Sequence, residues 1–138
     1  MNILVELIGS KIVLICLSTW VLCQVLKLTL HALHTKHPSL WVLLTSGGMP
    51  SSHAAVVSAF AAAVYLSQGF SLLFLTAGML ASITLYDAVA FRQQLGIQAK
   101  AINALTKKKF NLKENLGHRP SEVLAGIIIG IALGLLLY

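Results

Sequence analysis

The stretch that decides the fold is PSEVLAGIIIGIALGLLLY, residues 120–138, in which Glu122 near the start is the only charged side chain. At about 1.5 Å rise per residue such a helix is roughly 28 Å long, which matches the hydrocarbon layer of a bilayer. We therefore predict a membrane-spanning helix here. Similar apolar runs precede it at Ile3–Leu30, Ser51–Leu66 and Phe70–Phe91.

The overall composition agrees with this interpretation. Apolar residues make up 57% of the 138 residues and charged residues only 10%, against about 45–50% and 25% in soluble domains. A water-exposed shell cannot be built from so few charges. We expect an all-α, polytopic membrane helical bundle with about four transmembrane helices, forming one membrane-embedded domain over residues 1–138.

The charge distribution predicts the orientation in the membrane. The net charge is +6, and seven of the ten Lys and Arg residues lie between Arg92 and Arg119. Two long connections join the apolar runs, at about Lys27–Pro50 and Arg92–Arg119. With four spans, both lie on the same side of the membrane, and basic loops mark the cytoplasmic side. We expect a protein of a bacterial-type plasma membrane that contacts anionic membrane lipids. Nucleic acid is not an expected partner, because the basic segment carries one aromatic residue, Phe110.

The last apolar run also contains a repeated small-xxx-small pattern at Gly126, Gly130 and Gly134. Such glycines allow two helices to approach closely in lipid. The partner helix can belong to the same chain or to a second copy in a homodimer, and the pattern does not separate these alternatives.

Cysteine and histidine spacing gives little support for cross-links or metal binding. Cys16 and Cys23 are two helical turns, about 10 Å, apart, which is too far for a disulfide. His31, His34 and His37 share a spacing of three residues. A zinc site is one interpretation, but no Cys or carboxylate accompanies them, which favours a titratable interfacial helix face.

The first chemically informative motif is GGMPSSH, residues 47–53, directly before the second apolar run. Glycines permit close backbone approach, and Pro50 and the serines are typical of a helix start. Free N–H groups at such a start bind anions. Ser51 and Ser52 can add hydroxyl donors, and His53 can donate a proton. An ordinary capped helix is the alternative.

The second motif is GHRPSE, residues 117–122, before the last run. His118 and Glu122 are spaced i, i+4, so the carboxylate can accept the imidazole Nδ1–H and increase the basicity of the other nitrogen. The alternative is a helix cap in which Glu122 interacts with the helix dipole.

Further charged residues lie near the same predicted face. Arg92 suits bidentate phosphate binding, and Asp87 can pair with it structurally or orient a catalytic histidine. Lys27 is a phosphate ligand candidate or a snorkelling lysine. Arg119 is a further candidate phosphate ligand.

Together these residues place two histidines, cationic side chains and a serine pair on one membrane face. This combination suits phosphoryl transfer from an ester, so we predict a lipid phosphate phosphatase that hydrolyses a phosphomonoester or diphosphate of a lipid. A non-catalytic lipid-phosphate binder or packing subunit is the main alternative. A transporter subunit is a third, but the inverted repeat expected for one is not evident.

The same residues resemble a known family. Met49–His53 is similar to the P-S-G-H motif of the type 2 phosphatidic acid phosphatase superfamily, which includes vanadium haloperoxidases. His118 and Glu122 resemble its H-x-x-x-D element with Glu for Asp. Lys27 and Arg92 correspond to its first-motif lysine and third-motif arginine. The match runs from Gln24 to the end of the sequence and is nearest to the small divergent branch of that superfamily.

This resemblance implies a role for each residue. His118 would attack phosphorus to form a phosphohistidine, Glu122 would orient it, and His53 would protonate the leaving alcohol. Lys27, Arg92 and Ser52 would hold the phosphate oxygens. Neither a metal nor another cofactor would be required. One departure is that a long basic insert separates Arg92 from His118, whereas the superfamily's arginine lies close before its histidine.

Overall fold

The computed structural model describes residues 9–35, 48–114 and 116–138, and every regular element among them is helical. The helices are α1 (Lys11–Thr35), α2 (Ser52–Gln68), α3 (Leu72–Tyr86), α4 (Arg92–Leu105) and α5 (Pro120–Leu137). A π-helical turn, Asp87–Phe91, joins α3 to α4. The predicted all-α helical membrane bundle is confirmed.

Three continuous helices in the described residues are long and apolar enough to cross a bilayer. They are α1 with 25 residues, the run Leu72–Leu105 with 34 residues, and α5 with 18 residues. The remaining bundle helix, α2, has 17 residues, or about 26 Å, slightly less than a hydrocarbon layer of about 30 Å. It lies in the centre, where it packs against α1, α3 and α5.

Two predicted boundaries need correction. The first helix does not end at Leu30 but continues to Thr35, the last residue described in this part of the chain, and its predicted start at Ile3 lies outside the described residues. The third helix does not end at Phe91, because the chain stays helical to Leu105. The long connection predicted after Arg92 is therefore wrong in its first half. The stripe that α4 buries consists of small and polar residues, which hydropathy does not detect: Gly96, Ala99 and Asn103.

The glycine pattern of α5 packs within the chain. A Cβ built on Gly130 would lie 2.1 Å from the carbonyl oxygen of Ala55 in α2. The glycines one turn to either side, Gly126 and Gly134, face α2 in the same way, and all three are buried. Only a residue without a side chain allows the two backbones to come this close. Within the chain, this face of α5 therefore packs against α2, while the homodimer stays a prediction.

The helix directions place the predicted site residues at one end of the bundle. At the other end, Gly69 has a φ of 62° and closes the α2–α3 turn, with its N–H donating to Tyr65 O at 2.8 Å. Lys11 at the start of α1 also lies there, with its Nζ 4.7 Å from the ring centroid of Tyr138. The start of α2, the end of α3 and the start of α5 therefore meet at the opposite end.

Candidate active site

The π-helical turn brings Asp87 and Arg92 together. In an α-helix, residues five apart point about 140° away from each other. In this turn the Arg92 N–H donates to the Asp87 carbonyl, five residues back, which is the π-helical pattern. The Arg92 Nε also donates to the Asp87 carboxylate at 2.9 Å. Single π turns inside α-helices are frequently found at functional sites, and this one fixes the position of the Arg92 guanidinium.

The chain after α4 folds back along that helix. The side chain of Asn103, which is buried, donates to Leu112 O at 2.8 Å and accepts from Leu112 N at 2.9 Å. It also donates to Glu114 Oε1 at 2.9 Å. Closer to the site, a Cβ on Gly96 would lie 2.4 Å from Glu114 O. We call the described residues 112–114 and 116–118 the return segment, since they run antiparallel to α4 toward the π turn.

At the end of the return segment, a close backbone contact and two hydrogen bonds hold His118 against the π turn and the start of α4. Gly117 has a φ of 88°, and a Cβ there would lie 2.9 Å from Gln93 N and 3.1 Å from Arg92 Cβ. Gln93 Nε2 donates to His118 O at 3.0 Å, across 25 residues of sequence. The N–H of His118 donates to the carbonyl of Ala88 at 3.0 Å. The basic insert therefore does not separate Arg92 from His118 in space, because it leaves the site and returns to it.

His118 is paired with a carboxylate. Its Nδ1 lies 3.0 Å from Glu122 Oε2, and its side chain is only 5% exposed. An ionised carboxylate only accepts hydrogen bonds, so Nδ1 is the donor, and in the neutral imidazole Nε2 then carries the lone pair. The same Glu122 oxygen accepts the backbone N–H of Arg119 at 3.2 Å. Glu122 therefore caps α5 and orients His118 at once, combining both interpretations of the motif.

The starts of α2 and α5 are joined directly. The N–H of Ser51 donates to Glu122 O at 3.1 Å, and the Ser51 hydroxyl caps α2 by accepting from Ala54 N at 3.4 Å. Ser51 is completely buried, so its observed role is structural. Ser52, in the first turn of α2, lines a cavity together with His53.

His53 is the site residue that α2 contributes. It is exposed on the first turn of α2, within electrostatic range of Arg92, His118, Lys27 and Asp87. These groups come from α1, from the π turn and the first residue of α4, and from the residues before α5. With His53 they form the set here called the histidine cluster, in which the other four groups influence His53 electrostatically.

Lys27 enters this cluster from α1. Its side chain is only 6% exposed and interacts electrostatically with Glu122. Gly48, with a φ of 90°, leaves room for it, because a Cβ there would lie 3.0 Å from Lys27 Cε. The neighbouring Gly47 lies outside the described residues. Arg119, by contrast, is an exposed N-cap residue whose described contact is made by its backbone.

One polar group near the site was not predicted. Gln24 lies one helical turn before Lys27, and its Oε1 is buried with no hydrogen-bond partner among the residues that the structure describes. Such an atom is costly in a membrane helix, so it is a candidate for a ligand contact. The signal for it in the sequence is an amide side chain inside an apolar run.

The remaining histidines and cysteines contribute no described metal site. In the parts of the chain that the structure describes, no three His, Cys, Asp or Glu side chains are grouped to hold a metal ion. His34 Nδ1 lies 3.1 Å from Leu30 O, while His37, the third member of the considered zinc site, lies outside the described residues. Cys16 and Cys23 are unpaired thiols.

The comparisons with known proteins cover almost the whole chain. A family model described as the Divergent PAP2 family matches residues 8–133. The relative named "Uncharacterized membrane protein YuiD" from Bacillus subtilis (strain 168) is 36% identical over 153 aligned residues, covering 96% of each chain. No solved structure matches. The family match spans α4 and the return segment together with both histidine motifs.

Proposed function

Because the chain belongs to the Divergent PAP2 family, we propose that it is an integral membrane phosphatase that hydrolyses the phosphate ester of a lipid through a phosphohistidine. The observation that carries this proposal is the pairing of the buried His118 with the partly buried Glu122, 3.0 Å apart, next to the π turn that precedes Arg92. A nucleophilic imidazole beside a fixed guanidinium is the arrangement that attack on a phosphate needs.

In the first step, His118 Nε2 attacks phosphorus and the P–O bond to the lipid alcohol breaks. The electron pair of that bond leaves with the alkoxide, and His53 supplies the proton that neutralises it. The attack leaves positive charge on the His118 ring. Glu122 stabilises that charge through Nδ1–H, in the role that a carboxylate plays in other His-containing catalytic sites.

In the second step, water attacks the phosphohistidine. His53, now neutral, accepts a proton from this water, the N–P bond breaks, and inorganic phosphate leaves. His118 and His53 return to their starting states, so no oxidant, reductant or second substrate is consumed. The exposed position of His53 suits this exchange because water can reach it.

The phosphate oxygens would be held by cations from two helices. The Arg92 guanidinium is oriented by the Asp87 carboxylate, with 2.9 Å between Nε and Oδ2. The Lys27 side chain extends from α1 and packs against Gly48. Both oppose the negative charge that builds up on the equatorial oxygens in the transition state. Ser52 and the backbone before it are further donors in this proposal, while the exposed Arg119 is assigned only a peripheral role.

The proposed orientation places this site at the cytoplasmic leaflet. Exposed lysines cluster on α4 and the loop after it, at the site end of the bundle: Lys100, Lys107, Lys108, Lys109 and Lys113. Basic segments beside membrane helices are retained on the cytoplasmic side. Labelling of cysteines introduced at Lys108 in intact cells tests this, since an impermeant maleimide should fail to react until the cells are opened.

The function is tested with purified protein and lipid phosphates in mixed micelles. We expect phosphate release by the wild type, loss of nearly all turnover in His118→Ala, and an acid-labile phosphate on His118 during turnover. His53→Ala should lose less with esters of good leaving groups, which need little protonation. Wild-type release no faster than that of His118→Ala would contradict hydrolysis. Saturable lipid-phosphate binding without release would instead support the non-catalytic alternative.

A further inference from the structure

The seam between α1 and α2 contains two adjoining cavities. The upper cavity, which is the one nearer the histidines, has a volume of about 150 Å³. It is lined by His53 and Ser52 together with Trp20 and Val56. The lower cavity, about 290 Å³, is also lined by Trp20 and Val56 and extends down to Phe60. Because the two share these side chains, they form one groove, here called the α1–α2 groove. It begins at the proposed proton donor.

The groove leads away from the site into the apolar part of the bundle. From His53 to Phe60 it follows α2 for roughly 10 Å, about a third of the hydrocarbon thickness. All side chains of the lower cavity are apolar; those not named above are Ile12, Val13, Cys16 and Leu17. A surface that is polar only at its upper end matches an amphiphile with a charged head and a hydrocarbon tail.

We infer that the α1–α2 groove binds the hydrocarbon chain of the phosphorylated lipid while its phosphate lies between His53 and His118. This inference rests on the proposed function and specifies its substrate as a lipid phosphate whose chain is long enough to reach Phe60. Burial of apolar surface supplies the binding energy, and the depth of the groove fixes the distance of the ester from the histidines.

A second groove in the bundle lies away from the histidines. The groove among α2, α3 and α5 is larger, about 390 Å³, and is lined by side chains such as Tyr65, Phe74 and Ala81. None of its lining residues belongs to the histidine cluster. A lipid chain there would not place a phosphate near His53, so this seam provides a matched control for substitutions.

The kinetic test fills each groove with the same side chain. Val56→Phe obstructs the α1–α2 groove, whereas Ala81→Phe obstructs the control groove. The substrates are oleoyl and butanoyl lysophosphatidate, which share a headgroup and differ in chain length. We expect Val56→Phe to raise KM for the oleoyl substrate about tenfold, since each lost methylene contact weakens binding severalfold. In Val56→Phe, KM for the butanoyl substrate should stay within about twofold of the wild-type value. In Ala81→Phe, KM for the oleoyl and for the butanoyl substrate should likewise stay within about twofold of the wild type.

A binding measurement tests the groove without relying on turnover or on a bulky variant. In Trp41→Phe, Trp20 is the only tryptophan and lines both parts of the groove. Phosphatidic acid with brominated acyl chains, diluted into phosphatidylcholine nanodiscs, should quench its fluorescence saturably at low mole fraction. Brominated phosphatidylcholine at the same fraction should quench only in proportion to its amount. Equal quenching by the two lipids would overturn the inference.

These outcomes separate the two proposals. Saturable quenching without His118-dependent hydrolysis would contradict the phosphatase and keep the lipid groove. Hydrolysis with the same oleoyl KM in wild type and Val56→Phe would contradict the groove and keep the phosphatase. Folding of the two Phe variants is compared by thermal unfolding in detergent, and if Val56→Phe does not fold, the quenching of Trp20 decides.

Discussion

The backbone N–H of His118 donates to the carbonyl oxygen of Ala88 at 3.0 Å. In a continuous α-helix that carbonyl would accept the N–H of Arg92, four residues on. Here the Arg92 N–H donates to Asp87 instead. The π turn therefore does two things at once: it pairs Asp87 with Arg92, and it presents a carbonyl to the segment carrying His118. Arginine and histidine are positioned by the same local change in helix geometry.

The carboxylate of Glu122 should matter for catalysis far more than for folding. Glu122→Gln can still cap α5 through its amide oxygen, but a neutral amide no longer stabilises positive charge on His118. We expect turnover to fall by about a hundredfold or more, with unfolding changed by less than about 1 kcal/mol. Initial rates and thermal unfolding measure the two effects. Glu114→Gln is the control, because its carboxylate accepts from Asn103 away from the histidines and should leave rates unchanged. Equal losses in both variants would rule out a special role for Glu122.

The ion pair of Asp87 and Arg92 should act on substrate binding rather than on stability. Both side chains are partly exposed, at 43% and 34%, and such pairs contribute about 0–1 kcal/mol to folding. Asp87→Asn should therefore unfold like the wild type but lower kcat/KM about tenfold, because the guanidinium loses its fixed direction. Arg92→Ala should lose more. When Arg92→Ala is already present, adding Asp87→Asn should lower kcat/KM little further. A further loss as large as that of Asp87→Asn alone would mean that Asp87 acts independently of Arg92.

Gly117 should tolerate no side chain. Its φ of 88° is unfavourable for other residues, and a Cβ would lie 2.9 Å from Gln93 N. Gly117→Ala should cost about 1–3 kcal/mol and displace His118, so that activity falls together with the melting temperature. Gly78→Ala is the matched control, because that glycine is within α3 with no atom within 4 Å of an added Cβ. It should be neutral or stabilise by up to about 1 kcal/mol. A Gly117→Ala protein as active as the control would disprove the close contact.

Gln24 should show opposite effects on stability and on substrate binding. Replacing it with leucine removes a buried oxygen that has no partner in the described parts of the chain, which should stabilise the fold by roughly 1–2 kcal/mol. If the amide contacts the lipid headgroup near Lys27, the same change should raise KM several-fold with little effect on kcat. Thermal unfolding and KM for a lipid phosphate are measured on the same preparation. A less stable variant would show that the amide has a partner in the folded chain, and an unchanged KM would exclude the headgroup contact.

Several features could be predicted from short stretches of sequence because their causes are local. The membrane helices follow from hydropathy and length, the caps of α2 and α5 from Ser51 and Pro120, and the α2–α3 turn from Gly69. The proposed partnership of His118 with Glu122 could also be derived, since His118 comes directly before the N-cap of the helix whose first turn carries Glu122. The family resemblance rested on these same short motifs.

Other features were decided only by tertiary structure, because they depend on contacts between distant residues. Neither the π turn nor the extension of α4 is visible in hydropathy. Both depend on the return segment, whose contacts with Asn103, Gly96 and Arg92 lie many residues away in sequence. The partner of the α5 glycines was equally undetermined, since a small-residue stripe permits close packing but does not specify the other helix. The sequence thus determined which residues are chemically capable, and the hydrogen bond from His118 to Ala88 decided that histidine and arginine meet.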